Sequence, residues 1–413
     1  MNPEGKDFAV LKKTIIDTGL CTTCGTCVGV CHRGCLGIRW IDGDAEPYQT
    51  QDNCSGCGLC LEVCPGKEIP LLDLEEAFLG RRRDIEKEPA GVFLKAFRAQ
   101  AVSEKIKAAG ASGGTATALL TFALESDLVQ ASLVAGFDES RPCLTLGKLV
   151  RNSGELIRHA RSKYGGNPPL NTGLAEAAGA GLERMAVIGC PCHVHGVRKL
   201  MRLGQPKKLA QSIRLVLGLF CASQFHFEGT RHLLAEYCGI RDLEEIEMID
   251  YRWADWPGRF YVRTKDGREF LVDRHEYMYH HLVFGWQRDR CSVCLDHAAE
   301  VADLAFGDYW SPGLKPGDPG QGLVIARSRL GLDVLGRAQE EGYLSLSPVD
   351  LNRIALSGSQ LKKKRNPFTL KRRAEYNWPV PDFGFLPGHQ PGPKRIMHRA
   401  PSFDGPLVEE RKK

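Results

Sequence analysis

The chain has 413 residues, of which 43% are hydrophobic and 25% charged, and its formal net charge is +5. That length exceeds what one core usually carries, so two or three domains are expected. The mild charge comes without a nucleic-acid recognition motif, and no run approaches the roughly eighteen apolar residues of a membrane helix, so neither nucleic acid nor a membrane span is expected.

The first 20 residues contain no apolar stretch of signal-peptide type. Sixteen cysteines follow, many at metal-ligand spacing, which predicts a cytoplasmic protein whose thiols stay reduced for iron. Cys21, Cys24, Cys27 and Cys31 form C-x2-C-x2-C-x3-C, and Cys54, Cys57, Cys60 and Cys64 repeat it, with Pro65 after the last. Two-residue gaps wrap three cysteines around one corner of an iron–sulfur cube, and the fourth serves the neighbouring cube. One 4Fe–4S cluster is therefore expected on Cys21, Cys24, Cys27 and Cys64, and a second on Cys54, Cys57, Cys60 and Cys31. Zinc favours paired ligands rather than interleaved quartets. His32 stands where proline often follows the fourth cysteine, and is read as a tolerated change. Cys35 is read as packing.

Between the runs, Gly43 and Pro47 are expected to mark turns between short strands of a small two-cluster ferredoxin fold. Residues 67–91 read as a charged helix and linker, with Arg81–Arg83 as a solvated face. From Val92 the pattern alternates. VFLKAFRAQA is a strand, and a glycine turn then opens a helix with Leu119, Leu120, Ala123 and Leu124 on its apolar side. ASLVAGF, RMAVIGC and IRLVLGLFC read as buried strands of an α/β sheet. RFYVRTKDGREFLV reads as a hairpin turning at Asp266–Gly267. DLAFGDYW and GLVIAR add strands, and a late helix ends near Gly342. The tail is basic, then rich in Pro and Gly. Such composition resists forming its own core and is expected to wrap the protein or a partner.

The expected architecture is thus mixed α+β and α/β: a two-cluster ferredoxin-like module (1–70), a linker (71–91), a mixed α/β domain (92–350) and an extended tail (351–413). In an open α/β sheet, strand C-terminal ends share one edge where ligands gather. Cys192 and Cys221 follow two such strands, and Cys291 and Cys294 form a C-x2-C. These four are expected to hold a third 4Fe–4S cluster, with Cys190 as the alternative to Cys192. Ser112, Gly113, Gly114 and Thr115 form a glycine turn before a helix, a place where backbone amides bind phosphate. Beside iron–sulfur clusters this points to a flavin, which couples one-electron to two-electron chemistry. Lys163, Tyr164, Asn167 and Asn171 lie on a Gly/Pro-rich loop, where Lys163 would stabilise reduced flavin. His193 and His195 flank the third site. A structural role is favoured for both, and His193 is the candidate for moving protons.

The ensemble of SGG with TALLTFAL, SKY, IGCPCHV, GLFC and RCSVCLDHAAEVADLAFGDYW, behind the double cysteine run, resembles the coenzyme F420 hydrogenase/dehydrogenase beta-subunit family, over roughly residues 10–345. Chlorophyll-pathway reductases share the module. The resemblance implies FAD, with Ser112 to Thr115 near its phosphate and Lys163 near its ring. It also implies a cluster close to the flavin, and hydride exchange with F420 or another two-electron carrier. A hydrogenase, formate dehydrogenase or heterodisulfide-reductase type subunit would be the partner. Two other functions stay open: a self-contained ferredoxin-dependent reductase of an organic substrate such as a tetrapyrrole, and a non-catalytic electron relay. Cys190 and His193 depart from the Thr and Gln common in relatives.

Overall fold

The computed structural model describes residues 7–254, 256–310, 320–351, 361, 364 and 366–385. Each cysteine run closes on a single helical turn, Thr26–Gly29 and Leu59–Glu62, opened by Gly25 and Gly58 in the left-handed region. Between them runs an antiparallel hairpin, β1 (Leu36–Ile41) and β2 (Asp44–Gln49). Its turn falls at Asp42–Gly43, as expected of the glycine. Pro47 does not mark a turn. It sits inside β2 opposite Ile38, a place open to proline because β2 pairs on one side only.

The larger body is an eight-stranded mixed sheet. Its strands are β3 (Lys95–Ala101), β4 (Ala131–Phe137), β5 (Thr145–Val150), β6 (Met185–Gly189), β7 (Ile213–Leu219), β11 (Leu304–Asp308), β12 (Gly322–Ala326) and β13 (Leu344–Val349). Their order is β13-β3-β12-β11-β7-β6-β4-β5. The centre, β11-β7-β6-β4, is parallel, and the flanking pairs are antiparallel. A second sheet of three antiparallel strands comprises β8 (Ile246–Trp253), β9 (Arg259–Thr264) and β10 (Glu269–Val272). The β9–β10 hairpin turns at Gly267, whose φ is +89°.

Strand alternation divides the core into two layers. Ala186 and Ile188 face one way, packing with α2 (Thr115–Glu125) and α4 (Arg329–Glu340) through Leu119, Phe122 and Val334. Met185 and Val187 face the other way, toward α3 (Pro191–Leu203). The ferredoxin module closes that second layer with Cys27, Val30, Val63 and Ile69. Contact there is tight. A Cβ on Gly29 would collide with the carbonyl oxygen of Asn171. Gly29→Ala is therefore expected to loosen the module, read as faster proteolysis of the 80–91 linker without loss of the main sheet.

The arginine run departs from its expected role. Arg81 and Arg82 are half exposed, but Arg83 is 6% exposed. It pairs with Glu75 of α1 (Leu71–Leu79) at 2.5 Å and with Glu300 at 2.6 Å. The linker is thereby fastened to the segment that follows Cys294. The described part of the tail packs on the protein itself: Leu361, Leu370 and Phe383 join the core layer of the ferredoxin module. The Ile69 N–H donates to the Asp382 carbonyl at 2.6 Å. Residues 352–360, 362, 363, 365 and 386–413 of the expected extension lie outside the described residues. Among the described residues no helix is long and apolar enough to cross a membrane.

Candidate iron–sulfur and cofactor site

The first thiol group assembles across the two cysteine runs. Cys21 is pushed up to about 12 by burial and by its neighbours Cys64 and Cys24. Cys27 is raised by burial and then by Cys24, Cys64 and Cys21. Cys21, Cys24, Cys27 and Cys64 thus crowd one buried volume, the interleaved set the spacing predicts. In the second group, burial and then Cys57 and Cys54 push Cys60 up to about 12. Cys31 reaches this group through Cys35, whose Sγ is 3.4 Å from that of Cys31 and which also meets Cys54. Cys35 is therefore more than packing, being a fifth thiol in contact with the group. Cys54 and Cys57 are exposed, so this group faces solvent.

A third group gathers Cys190, Cys192, Cys221, Cys291 and Cys294 at the C-terminal edge of the sheet. Cys192 also lies beside Cys24 of the first group. Amides already point at these sulfurs. Thr23 N–H donates to Cys21 and Gly66 N–H to Cys64, both at 3.4 Å; Gln224 N–H donates to Cys291 at 3.3 Å. Asn167 Nδ2 donates to Cys192 at 3.5 Å. Crowded thiols that raise one another suit a polycationic iron core, which stabilises their thiolates together, and such amide donors are the outer contacts that tune a cluster. Among the described residues no three His, Cys, Asp or Glu side chains converge on a point suited to one metal ion. A cube is larger than an ion and takes one thiolate per iron. The residues present fit the cubes.

Two buried lysines had no signal in the spacing. Lys199 of α3 donates to the Cys64 and Glu68 carbonyls, both at 2.9 Å. Lys364, from the basic tail, is 6% exposed beside Cys294, Cys291 and Cys221, whose negative charge raises its pKa. His195 of α3 donates from Nε2 to Asp296 at 2.8 Å, both buried, which ties the Cys291–Cys294 loop to the helix that carries Cys192.

The third group forms one wall of a cavity of about 600 Å³, within the range of cofactor sites. Cys190, Cys221 and Gln224 lie on that wall, and Ser112, Gly114 and Thr115 line another part. Gly114, at φ +68°, opens α2, and no side chain caps that helix. Its free first-turn amides, at the positive end of the helix dipole, suit a phosphate. Ser112 Oγ donates to Asp308 of β11, which also accepts from Arg252 Nη1 at 3.0 and 3.1 Å. Arg252 Nη2 donates to the Ala111 carbonyl at 3.2 Å, so the turn is braced before any ligand arrives.

Lys163 and Tyr164 line the cavity as expected, but Gly113, Asn167 and Asn171 do not. Gly113 packs against Gly320 and Gln100. The amides of Asn167 and Asn171 face the ferredoxin module, donating to the Thr22 carbonyl and, at 2.8 Å, to Thr26 Oγ1. Lys163 spends its three donors on the carbonyls of His159, Ala160 and Arg161 at 2.8 to 3.1 Å, and burial pushes its pKa down to about 8. His193 Nδ1 accepts from Cys190 N–H at 3.0 Å, which puts the proton on Nε2, 2.9 Å from the Pro168 carbonyl. Both nitrogens are committed and burial pushes the ring down to about 4, so His193 has no free nitrogen for proton relay in this arrangement.

Interleaved cysteine quartets packed on a mixed α/β sheet define an iron–sulfur protein of the oxidoreductase class. Residues 20–67 match a 4Fe-4S dicluster domain. The chain belongs to the coenzyme F420 hydrogenase/dehydrogenase beta-subunit family: residues 96–174 match the model of its N-terminal part and residues 182–352 that of its C terminus. Among curated relatives, the coenzyme F420-dependent sulfite reductase of Methanocaldococcus jannaschii is 28% identical over 387 residues. The match covers 88% of this chain but 52% of that protein, so the chain spans about half of its length. The coenzyme F420 hydrogenase subunit beta of Methanococcus voltae is 28% identical, over 71% of this chain and 99% of that one. In fold, the chain is similar to one from the F420-reducing NiFe hydrogenase complex of Methanosarcina barkeri. The TM-score is 0.57 at 22% identity, covering 71% of this chain and 98% of that one.

Proposed function

We propose that the chain is an iron–sulfur flavoprotein subunit that passes single electrons between its exposed thiol group and the cavity, where they are exchanged in pairs with F420 or a comparable carrier. The observation that carries this reading is the continuity of the thiols. Cys60 lies near Cys27, Cys24 near Cys192, and Cys221 on the cavity wall. FAD, when bound, supplies the step between one-electron and two-electron transfer. The residues of the chain hold and orient it. The first-turn amides of α2 receive its phosphates, and Arg252 with Asp308 keeps the turn in place. Tyr164 and Phe220 wall the cavity and exclude water. The names of the relatives support F420 as the carrier and a hydrogenase-type subunit as a partner. Formate dehydrogenase and heterodisulfide-reductase type subunits are the alternative partners.

Anaerobic quantification per chain tests the reading, with about twelve irons and one FAD expected. Eight irons would remove the third cluster, and absence of flavin would remove the paired-electron step. Gly114→Ala separates cofactor from fold. Its Cβ would lie 2.5 Å from the Ile106 carbonyl oxygen, at a φ unsuited to alanine. The variant is expected to lose flavin absorbance and keep its iron.

A further inference from the structure

Gln224 lies on the loop that follows β7 and reaches three sulfurs of the third group. Its backbone N–H donates to Cys291 Sγ at 3.3 Å. Its side-chain Nε2 donates to Cys190 Sγ at 3.0 Å and reaches Cys221 Sγ at 3.7 Å. Cys221 and Cys291 are expected ligands, and Cys190 is the alternative to Cys192, so the amide meets a ligand sulfur whichever of those two binds iron. Atom type fixes the direction, because an amide nitrogen donates and does not accept. The residue is 6% exposed, and its loop is held on both sides. The Gln224 carbonyl accepts from Arg288 N–H at 3.0 Å, and Cys221 N–H donates to the His297 carbonyl at 2.9 Å. Gln224 Oε1, however, is buried with no hydrogen-bond partner among the described residues. An orphaned buried acceptor weakens a fold, and an apolar side chain of equal length would not carry that cost. The nitrogen, facing sulfur, is what accounts for an amide at this place.

We propose that the Gln224 side-chain amide tunes the third cluster, donating to the sulfurs on its cavity side and raising its reduction potential. This rests on the third-cluster reading. It makes Gln224 a positioning residue that acts through cysteine sulfur. Reduction adds negative charge to a cluster, and a donor aimed at its sulfurs stabilises that charge. Gln224, Cys190 and Cys221 share one wall of the cavity, so the amide favours an electron resting on the cluster beside the cavity and leaves the other two clusters untouched.

The test uses the full chain, purified anaerobically, with iron and flavin counted and the three clusters titrated by EPR-monitored potentiometry. Gln224→Met keeps the length of the side chain and removes its donor, while the backbone donor to Cys291 survives. It is expected to keep about twelve irons and to unfold in denaturant no earlier than the wild type. Reduction of one cluster should weaken roughly tenfold, a midpoint more negative by about 59 mV for one electron. Gln224→Leu is expected to move the same midpoint in the same direction, and serves should the methionine variant fold poorly. Gln224→Glu sets a carboxylate against the sulfurs and should move it further. Full iron with an unmoved midpoint in both apolar variants would overturn the proposal. So would loss of four irons in both, which would make the amide a scaffold for the site, or loss of flavin with the midpoint unmoved, which would assign it to the cavity. Eight irons in the wild-type protein would be a different failure, removing the third cluster itself and this proposal with it.

Discussion

Cys294→Ser is expected to remove one third of the iron, four atoms of about twelve, while the EPR signals of the other two clusters persist. The reasoning is geometric. Cys294 lies with Cys291 and Cys221 beside Lys364 in the third group, so losing it should unload the third site alone. Electrons supplied to the protein by a one-electron donor should then reduce two clusters and stop. Flavin content should stay near one per chain, because the α2 amides and the Arg252–Asp308 brace belong to other elements. The measurement is iron and flavin quantification with stopped-flow reduction followed at the flavin and cluster bands. Unchanged iron would count against the assignment. Flavin reduction at the wild-type rate would count against the path even with iron lost.

What could be read in advance follows from how local each signal is. The interleaved quartets were legible because each run wraps its own corner and the spacing itself carries the geometry. The third group was legible in outline, since cysteines at the ends of buried strands must share an edge once those strands pair in parallel. The choice among its members was not. Cys190, Cys192 and Cys221 all reach one edge, because Gly189 sits opposite Gly218 where β6 pairs with β7. Long-range partners were invisible for the same reason. Asp308 lies in the FGDYW stretch that supports the family resemblance, yet its pairing with Ser112 and Arg252 joins three distant segments. Lys364 sat in a basic run of a tail expected to wrap the protein or a partner, and the run itself does not say which lysine turns inward. Asn167 and Asn171 occupy the predicted loop, but that loop has two sides, and the ferredoxin module covers the one they face.

Arg83→Met is expected to destabilise the fold by about 3–5 kcal/mol, the range for removing one member of a buried ion pair. Glu75 and Glu300 are both 0% exposed, and the nearby buried cation Arg327 would be left to face them. Arg327 cannot substitute. Its guanidinium donates to the carbonyls of Ala90, Val92 and Ala298 at 2.8 to 3.0 Å, and burial already pushes its pKa down to about 10. The neighbouring arginines supply the control. Arg81 and Arg82 are about half exposed and pair with Glu88, Asp73 and Glu76 at the surface, so Arg81→Ala and Arg82→Ala should each cost less than about 1 kcal/mol. Denaturant unfolding of the three variants under anaerobic conditions measures the difference. Equal, small effects would return Arg83 to the solvated face that its run suggests. A large effect confined to Arg83 would mean that the linker is pinned through Glu300 to the segment after Cys294, adding a buried guanidinium to the Asn167, Asn171 and Lys199 contacts that hold the ferredoxin module in place.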